Sequence, residues 1–128
     1  MTPKPSGIRS ERGRKARGEG RMAEVLAALL LMAKGYRILG FRLASRQGEI
    51  DILALRGRVL AAVEVKRRAT LEAALEAVYP AQRERIRRAA ERVVATRQAL
   101  AGVAVRLDLI ALAPGKWPRH IPDAWQGG

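Results

Sequence analysis

Two acids and a lysine carry the chemistry that this chain can offer. Asp51 ends the run Gly48-Glu49-Ile50-Asp51, and Glu64 and Lys66 alternate in Val63-Glu64-Val65-Lys66. Between them lies Arg56-Gly57-Arg58, a hairpin turn signal between two strand-like apolar runs. With Gly57-Arg58 as a two-residue turn, glycine first, Arg56 pairs with Val59. The ladder then sets Leu55 against Leu60, Leu53 against Ala62, Asp51 against Glu64 and Glu49 against Lys66. Asp51 and Glu64 share a face, with Cβ atoms about 5 Å apart, and Lys66 projects from the same face. Opposed carboxylates destabilise a hairpin unless positive charge lies between them. A divalent cation meets that need, because Mg²⁺ is held through one or two carboxylates with water and substrate phosphate around it. The other reading is an exposed sheet face on which Lys66 offsets the acids and Glu49–Lys66 is a plain cross-strand ion pair.

Glu24 is the third acid. It is the only acid between Met22 and Lys34, and its neighbours at helical spacing are Ala27, Ala28 and Leu31. A buried carboxylate without a partner costs several kcal/mol or takes up a proton. Glu24 is therefore expected to point at a polar cluster; the alternative is a frayed helix end that reaches water. The chain has no cysteine and one histidine, His120. That argues against disulfides, thiolate zinc sites, Cys nucleophiles, Ser-His-Asp triads and multi-histidine metal sites. Hydrolytic chemistry here must rest on carboxylates, Lys, Arg or hydroxyls. His120 is expected to be packed or hydrogen bonded, and Trp117 and Trp125 to cover an edge of the core.

The formal net charge is +13, and 20 of the 25 basic residues are arginine. Such an excess repels itself unless something anionic benefits from it, and nucleic acid is the natural partner. A genome that codes arginine freely is the bland alternative. Residues 1–21 read as a flexible basic arm, with prolines, glycines and Arg9, Arg12, Arg14, Lys15 and Arg17. The longest apolar run, Val25–Ala33, is too short to span a bilayer. The N-terminus lacks the apolar stretch of a signal peptide, so a cytoplasmic location is expected.

The elements that must position the acids follow from periodicity. Met22–Lys34 reads as a helix with Met22, Val25, Leu26, Leu29 and Leu30 on its core stripe and Gly35 as its stop. Its other side is also apolar, which suggests burial on more than one face. Tyr36–Ala44 reads as a strand with a bulge at Gly40. Glu49–Leu55 and Val59–Lys66 are the hairpin. Thr70–Val78 is a short helix capped by Thr70. A longer helix starts at Pro80, with Ile86, Ala89, Ala90, Val93, Val94 and Leu100 as its stripe and Gly102 at its end. Val103–Ala113 is a strand apolar enough to lie inside a sheet, and a short edge strand is expected near His120–Ile121. Residues 22–128 then form one domain, a mixed sheet with helices against it. The long helix also presents Arg83, Arg85 and Arg88, and Arg46 and Gln47 precede the strand of Asp51. These could contact phosphates, or the helix could be a solvated amphipathic one. No helix-turn-helix or zinc finger is recognisable, so base-specific reading is not expected.

Glu24, the Gly48–Asp51 run and Val63–Lys66 together resemble the core of the PD-(D/E)xK nucleases, the restriction-endonuclease-like superfamily. The closer resemblance is to the YraN-like family of small bacterial proteins, which are similar to archaeal Holliday-junction resolvases. It runs from about Gly18 to Trp125 and includes Gly35-Tyr36, Arg106-Leu107-Asp108 and His120-Ile121. The resemblance implies a restriction-endonuclease-like α/β fold and metal-assisted phosphodiester hydrolysis in DNA, and the resolvase likeness implies branched or junction DNA. Asp51, Glu64 and the Val65 carbonyl would ligate Mg²⁺ or Mn²⁺. Glu24 would hold a water or complete the coordination sphere, and Lys66 would position the attacking water or stabilise the developing charge. The family often carries Lys where this chain has Gln82, and related nucleases use Gln in that helix, so Gln82 is expected at the site. A residue other than proline, Ile50, precedes Asp51. The resolvase likeness also implies a homodimer. A protein that keeps the fold and binds nucleic acid without cutting it is the alternative.

Overall fold

The computed structural model describes residues 21–46 and 48–126. The arm expected over residues 1–21 lies outside the described residues except for Arg21, which already belongs to the first helix, and Gln47 lies outside them too. Helix α1 spans residues 21–33. Strands β1 (Arg37–Ala44), β2 (Glu49–Arg56) and β3 (Val59–Arg67) follow as an antiparallel meander. Helices α2 (Leu71–Glu76) and α3 (Pro80–Thr96) carry the chain back to β4 (Ala104–Leu112), which runs parallel to β3, and β5 (Arg119–Ile121) adds an antiparallel edge. The order is β1-β2-β3-β4-β5. This five-stranded mixed sheet flanked by helices is consistent with a restriction-endonuclease-like fold.

The hairpin behaves as its turn dictates. Gly57 has φ 60°, a conformation glycine adopts without strain, and Arg56 pairs with Val59. The register then continues through Leu55–Leu60 and Leu53–Ala62 as far as Ile52–Val63. Pro80 opens α3, and the Thr70 hydroxyl accepts the Ala73 N–H at 3.1 Å to cap α2. The bulge in β1 falls between Ile38 and Gly40.

The two faces of the sheet hold different cores. Ala61, Val63 and Ile110 pack under α1, while Leu60, Ala62 and Leu107 pack with Ile86, Ala89 and Ala90 of α3. Alternation along β3 therefore sends Glu64 and Lys66 toward the α3 side.

Helix α1 corrects the sequence expectation. Its buried residues are Ala23, Ala27, Ala28 and Leu31, whereas Met22, Val25, Leu26 and Leu29 of the expected stripe are exposed and Leu30 is half-buried. The sheet beneath contributes Ile52, Val63 and Ile110. The stripe Ala23, Ala27, Ala28 and Leu31, at i, i+4, i+5 and i+8, docks on them and on Ala54 and Ala61, its small residues letting the helix lie close to the sheet. Helix α3 also ends sooner than its pattern suggests. Arg97 is extended at φ −120°, ψ 111°, and Leu100 is buried from a separate 3₁₀ turn, Gln98–Leu100. Gly102 follows that turn rather than capping α3.

Candidate functional site

The strands of the hairpin stop pairing one step before the acids meet. Beyond Ile52–Val63, the Asp51 carboxylate itself takes the next backbone donor: the Val65 N–H gives a 2.9 Å hydrogen bond to Asp51 Oδ2. The side chain thus replaces a ladder bond and is fixed by it. Glu64 is buried at 3% exposure, and Lys66 Nζ stands 3.7 Å from its Oε2. That separation is a charge contact rather than a hydrogen bond.

A cleft of about 420 Å³ opens over these groups. Its floor is Asp51, Glu64 and Lys66, its rim is Gly48 and Glu49, and its far wall is Gln82, Arg85 and Ile86 of α3. Gly48 explains why the loop can lie against the helix. It has φ 153°, and a Cβ there would sit 3.2 Å from Arg85 Cβ. A hairpin-like loop, with Ser45 N–H bonded to the Gly48 carbonyl at 2.9 Å, carries Arg46 at its exposed tip.

The electrostatics of the pair are unusual for surface acids. Burial pushes the Asp51 carboxyl up, against the pull of the Val65 N–H and the Lys66 ammonium. Burial also drives Glu64 up, Asp51's charge adds to it, and Lys66 only partly offsets them, leaving Glu64 at about 8. One proton shared between the two acids is the state that such a pair prefers without a cation.

The structure brings together Asp51, Glu64, Lys66, Gln82 and Arg85. Glu24 does not line that cleft, although its charge reaches Asp51. Its side chain is 12% exposed and accepts both bonds of Arg42 Nε, at 2.6 and 2.8 Å. Among the described residues no three His, Cys, Asp or Glu side chains are grouped for a metal ion. Arg83 donates to the Val78 carbonyl at 3.1 Å and lies over the Trp125 ring, so it braces the fold. Arg88 pairs with Glu84 at 3.2 Å on the exposed side of α3.

Arg42 is the residue that sequence reading missed. It is a non-glycine residue at φ 50°, a left-handed conformation that costs roughly 1–2 kcal/mol. The pairs Phe41–Ile52 and Leu43–Ile50 bracket it, which sets it opposite Asp51. Hydrogen bonding to Glu24, followed by the negative charge of Glu24, Glu49 and Asp51, raises its pKa further above the usual arginine value. The bulge at Gly40 was the signal: once the register beyond it is known, Arg42 falls beside the acids.

A second buried carboxylate lies on the α1 side of the sheet. Asp108 is fully buried and accepts from Arg106 Nε and Nη2 at 2.7 and 2.8 Å and from the Asp123 N–H at 3.0 Å. His120 Nε2 lies 2.8 Å from it, and Lys34 Nζ is 2.6 Å from His120 Nδ1. Arg106 also donates to the Tyr36 hydroxyl. Burial pushes Asp108 up, but Arg106, His120 and the Asp123 N–H overcome it and hold the carboxyl at about 2. His120 is thus packed and hydrogen bonded, as its solitary occurrence suggested. Trp125 covers the core and donates to the Leu75 carbonyl at 3.2 Å, but Trp117, expected to do likewise, is 92% exposed.

Fold and site together define a small mixed-sheet α/β protein with a paired-carboxylate cleft on one face and a satisfied ionic network on the other. The family that shares this sequence is equally specific. Residues 23–112 match the family model described as "Uncharacterised protein family UPF0102", and the chain belongs to that family. It is 66% identical over 122 residues to a UPF0102 protein of Caulobacter vibrioides, covering 95% of this chain and 98% of that one. A UPF0102 protein of Caulobacter sp. K31 is 61% identical over 125 residues, with 98% and 90% covered. One from Paramagnetospirillum magneticum is 50% identical over 115 residues, with 87% and 89% covered.

Proposed function

We propose that this protein is a metal-dependent nuclease that hydrolyses phosphodiester bonds in DNA, with branched or junction DNA as its substrate class. The observation that carries this reading is the Asp51–Glu64 pair. A buried carboxylate, Glu64, and a half-buried one, Asp51, repel each other in an open cleft, with one lysine as partial compensation. Their donor set fits a hard divalent cation, Mg²⁺ or Mn²⁺, which needs one or two carboxylates and leaves positions for phosphate oxygens. Such an ion supplies Lewis-acid polarisation of the scissile phosphate. Asp51, Glu64 and the Val65 carbonyl are the groups to hold it. Lys66 is close enough to Glu64 to orient an attacking water and to offset charge that develops on the phosphate oxygens. Gln82 and Arg85, facing the acids across the cleft, can grip the substrate phosphate. The net charge of +13 favours a polyanion at long range.

Cleavage of branched, flapped and single-stranded DNA by purified protein with Mg²⁺ or Mn²⁺ tests the reading. Asp51→Ala and Lys66→Ala should each cut about a hundred- to a thousandfold more slowly, the scale on which key electrostatic groups act. No cleavage, or cleavage unchanged in both variants, overturns it. Cleavage confined to RNA would move the substrate class.

One observation favours a second reading, a non-catalytic nucleic-acid-binding protein that keeps the nuclease fold. Glu24 is paired with Arg42 and does not line the cleft, so the three acids that the resemblance implied as a set, Glu24, Asp51 and Glu64, do not line it together. This reading expects salt-dependent DNA binding that ignores added metal.

The proposed enzyme acts in the cytoplasm as a homodimer; no helix among the described residues is long and apolar enough to cross a membrane. The outer face of α1 suits the dimer. Met22, Val25, Leu29 and Met32 repeat at the 3-4-3 spacing of a coiled-coil seam, with Leu26 beside them, and each is 41–59% exposed. Adding Phe41 on edge strand β1, the patch is on the order of 500 Å² per copy, so two copies reach roughly the 1,000 Å² of a specific interface. Its only charged residue between Met22 and Ala33 is Glu24, already paired, so two very basic chains can meet there without opposing their charges. Sedimentation should give a dimer that Leu29→Glu converts to a monomer; a monomeric wild type removes this part of the proposal.

A further inference from the structure

The indole of Trp117 is left in water by a fold that is short of aromatics. It is 92% exposed, whereas the other tryptophan is packed and hydrogen bonded. Pro118 follows it, which confines Trp117 to extended backbone and limits the directions its ring can take. Beside the ring is a small cleft of about 120 Å³, walled by Thr70, Leu71 and Leu112 and flanked by Lys116 and Arg119. The stretch from Ala111 to Ile121 contains no acid. Arg67 and Arg68, at the end of β3, are also exposed, and the Arg68 N–H bonds to the Leu112 carbonyl at 3.0 Å. A bare aromatic plane among cations, with no acid nearby in sequence, suits a ligand that is both planar and anionic. A nucleotide is both: its base stacks and its phosphate pairs with Lys or Arg.

Position ties this cleft to the acids. Lys66 is registered with Ala111, and Ala111 with Arg119, so the three lie in one row across β3, β4 and β5. Two interstrand steps make that row about 10 Å long, a few nucleotides of a DNA strand. Leu71 of α2 covers Ala111 in the middle of that row, and the cleft beside Trp117 lies at the N-terminal end of α2, so the path from Lys66 runs around that end rather than straight across the sheet. A strand with its phosphate over Lys66 can reach the indole by that path with a nearby base. The cleft is well below the 300–1,000 Å³ range of ordinary ligand pockets, which fits one ring system and not a base pair.

We propose that Trp117, with Lys116 and Arg119, is a stacking platform for one unpaired nucleobase of the strand that enters the acidic cleft. The proposal rests on the nucleic-acid reading above and narrows it. The substrate must offer an unstacked base, as flaps, forks and opened junctions do and intact duplex does not.

Tryptophan emission provides the test, and it requires no metal. The wild-type protein is titrated with a short oligothymidylate in EDTA, with binding followed separately by anisotropy of a labelled oligonucleotide. Stacking should quench the emission in step with binding. Trp117→Ala should lose the quenching and bind the oligothymidylate about tenfold more weakly, with blunt duplex affinity unchanged. Trp117→Phe should recover most of the affinity, because a ring still stacks. Thermal melts should be the same for all three, since the side chain is in water. Binding without quenching, or equal affinity in Trp117→Ala, overturns the platform and leaves the nucleic-acid reading intact. Emission that shifts with protein concentration alone assigns the indole to a protein contact and also overturns it. Failure to bind any DNA removes both.

Discussion

Glu64 and Asp108 are carboxylates on neighbouring strands of one sheet, and both are buried. Their surroundings differ completely. Asp108 meets a two-pronged arginine, a histidine and a backbone N–H, and its charge is so well matched that its carboxyl stays ionised down to about 2. Glu64 meets a second acid and a lysine that stops at 3.7 Å, and it is pushed up to about 8. Equal burial with opposite compensation separates two uses of a buried acid. The satisfied one closes a structural circuit that ties α1, β4 and the C-terminal turn together. The unsatisfied one keeps a cost in the fold that a bound cation can relieve, the mark of a functional group.

The largest effect that tests this contrast is on the satisfied side. Asp108→Asn leaves the Arg106 guanidinium half-buried without its counter-charge. Breaking a buried pair in this way costs about 3–5 kcal/mol. Urea unfolding at pH 7 measures it, and a loss below about 1 kcal/mol would mean that the network is not structural. The acid limb adds a sign. Asp108's folded pKa lies below its ordinary 3.8, so its contribution is complete above that value and is lost as pH falls toward about 2.

Next comes the response to metal. A cation that binds only the folded state stabilises it by about 2.7 kcal/mol at a hundred times its Kd. Mn²⁺ should therefore raise the melting temperature of the wild type and leave Asp51→Asn where it was. An equal rise in both proteins would place the ion elsewhere.

The unsatisfied side predicts an inverted pH dependence. Glu64 holds in the fold a proton that the unfolded chain releases near 4.5. Unfolding then frees that proton, and metal-free stability falls as pH climbs from about 4.5 to about 8. Glu64→Gln removes this slope and should be more stable than the wild type at pH 8 in EDTA. Destabilisation by that substitution, on the scale of Asp108→Asn, would erase the distinction between the two acids.

Much of the unsatisfied site was legible in the sequence because its parts are local. A glycine turn fixed the register, and alternation brought Asp51, Glu64 and Lys66 to one face. Contacts across the fold were harder to read. Tyr36, Arg106, Asp108 and His120 were visible only as separate parts of a resemblance, since chain distance hides that they form one network. The outer face of α1 was misread because large apolar residues outrank alanine in any periodicity argument, while a crowded sheet selects alanine. Trp117 was assigned to the core because aromatics usually go there, and exposure is a property of the neighbours it lacks. Glu24 was expected to seek a polar partner and did, but its partner, Arg42, sits beyond a bulge whose register a linear reading does not supply.

The smallest effect probes the outer end of the satisfied network. Lys34 has only protons to give, so at 2.6 Å it must donate to His120 Nδ1. That leaves Nε2 as the protonated nitrogen, directed at Asp108 Oδ2. Lys34 is exposed, and its hydrogen bond is worth no more than about 0.5–1.5 kcal/mol. Lys34→Met should cost that much and leave the Asp108 pairing in place. Urea unfolding at pH 7 measures the loss. A loss as large as that of Asp108→Asn would mean that the network depends on its exposed edge. In that case the contrast between a closed circuit and an open site would rest on solvent access rather than on how fully each carboxylate is paired.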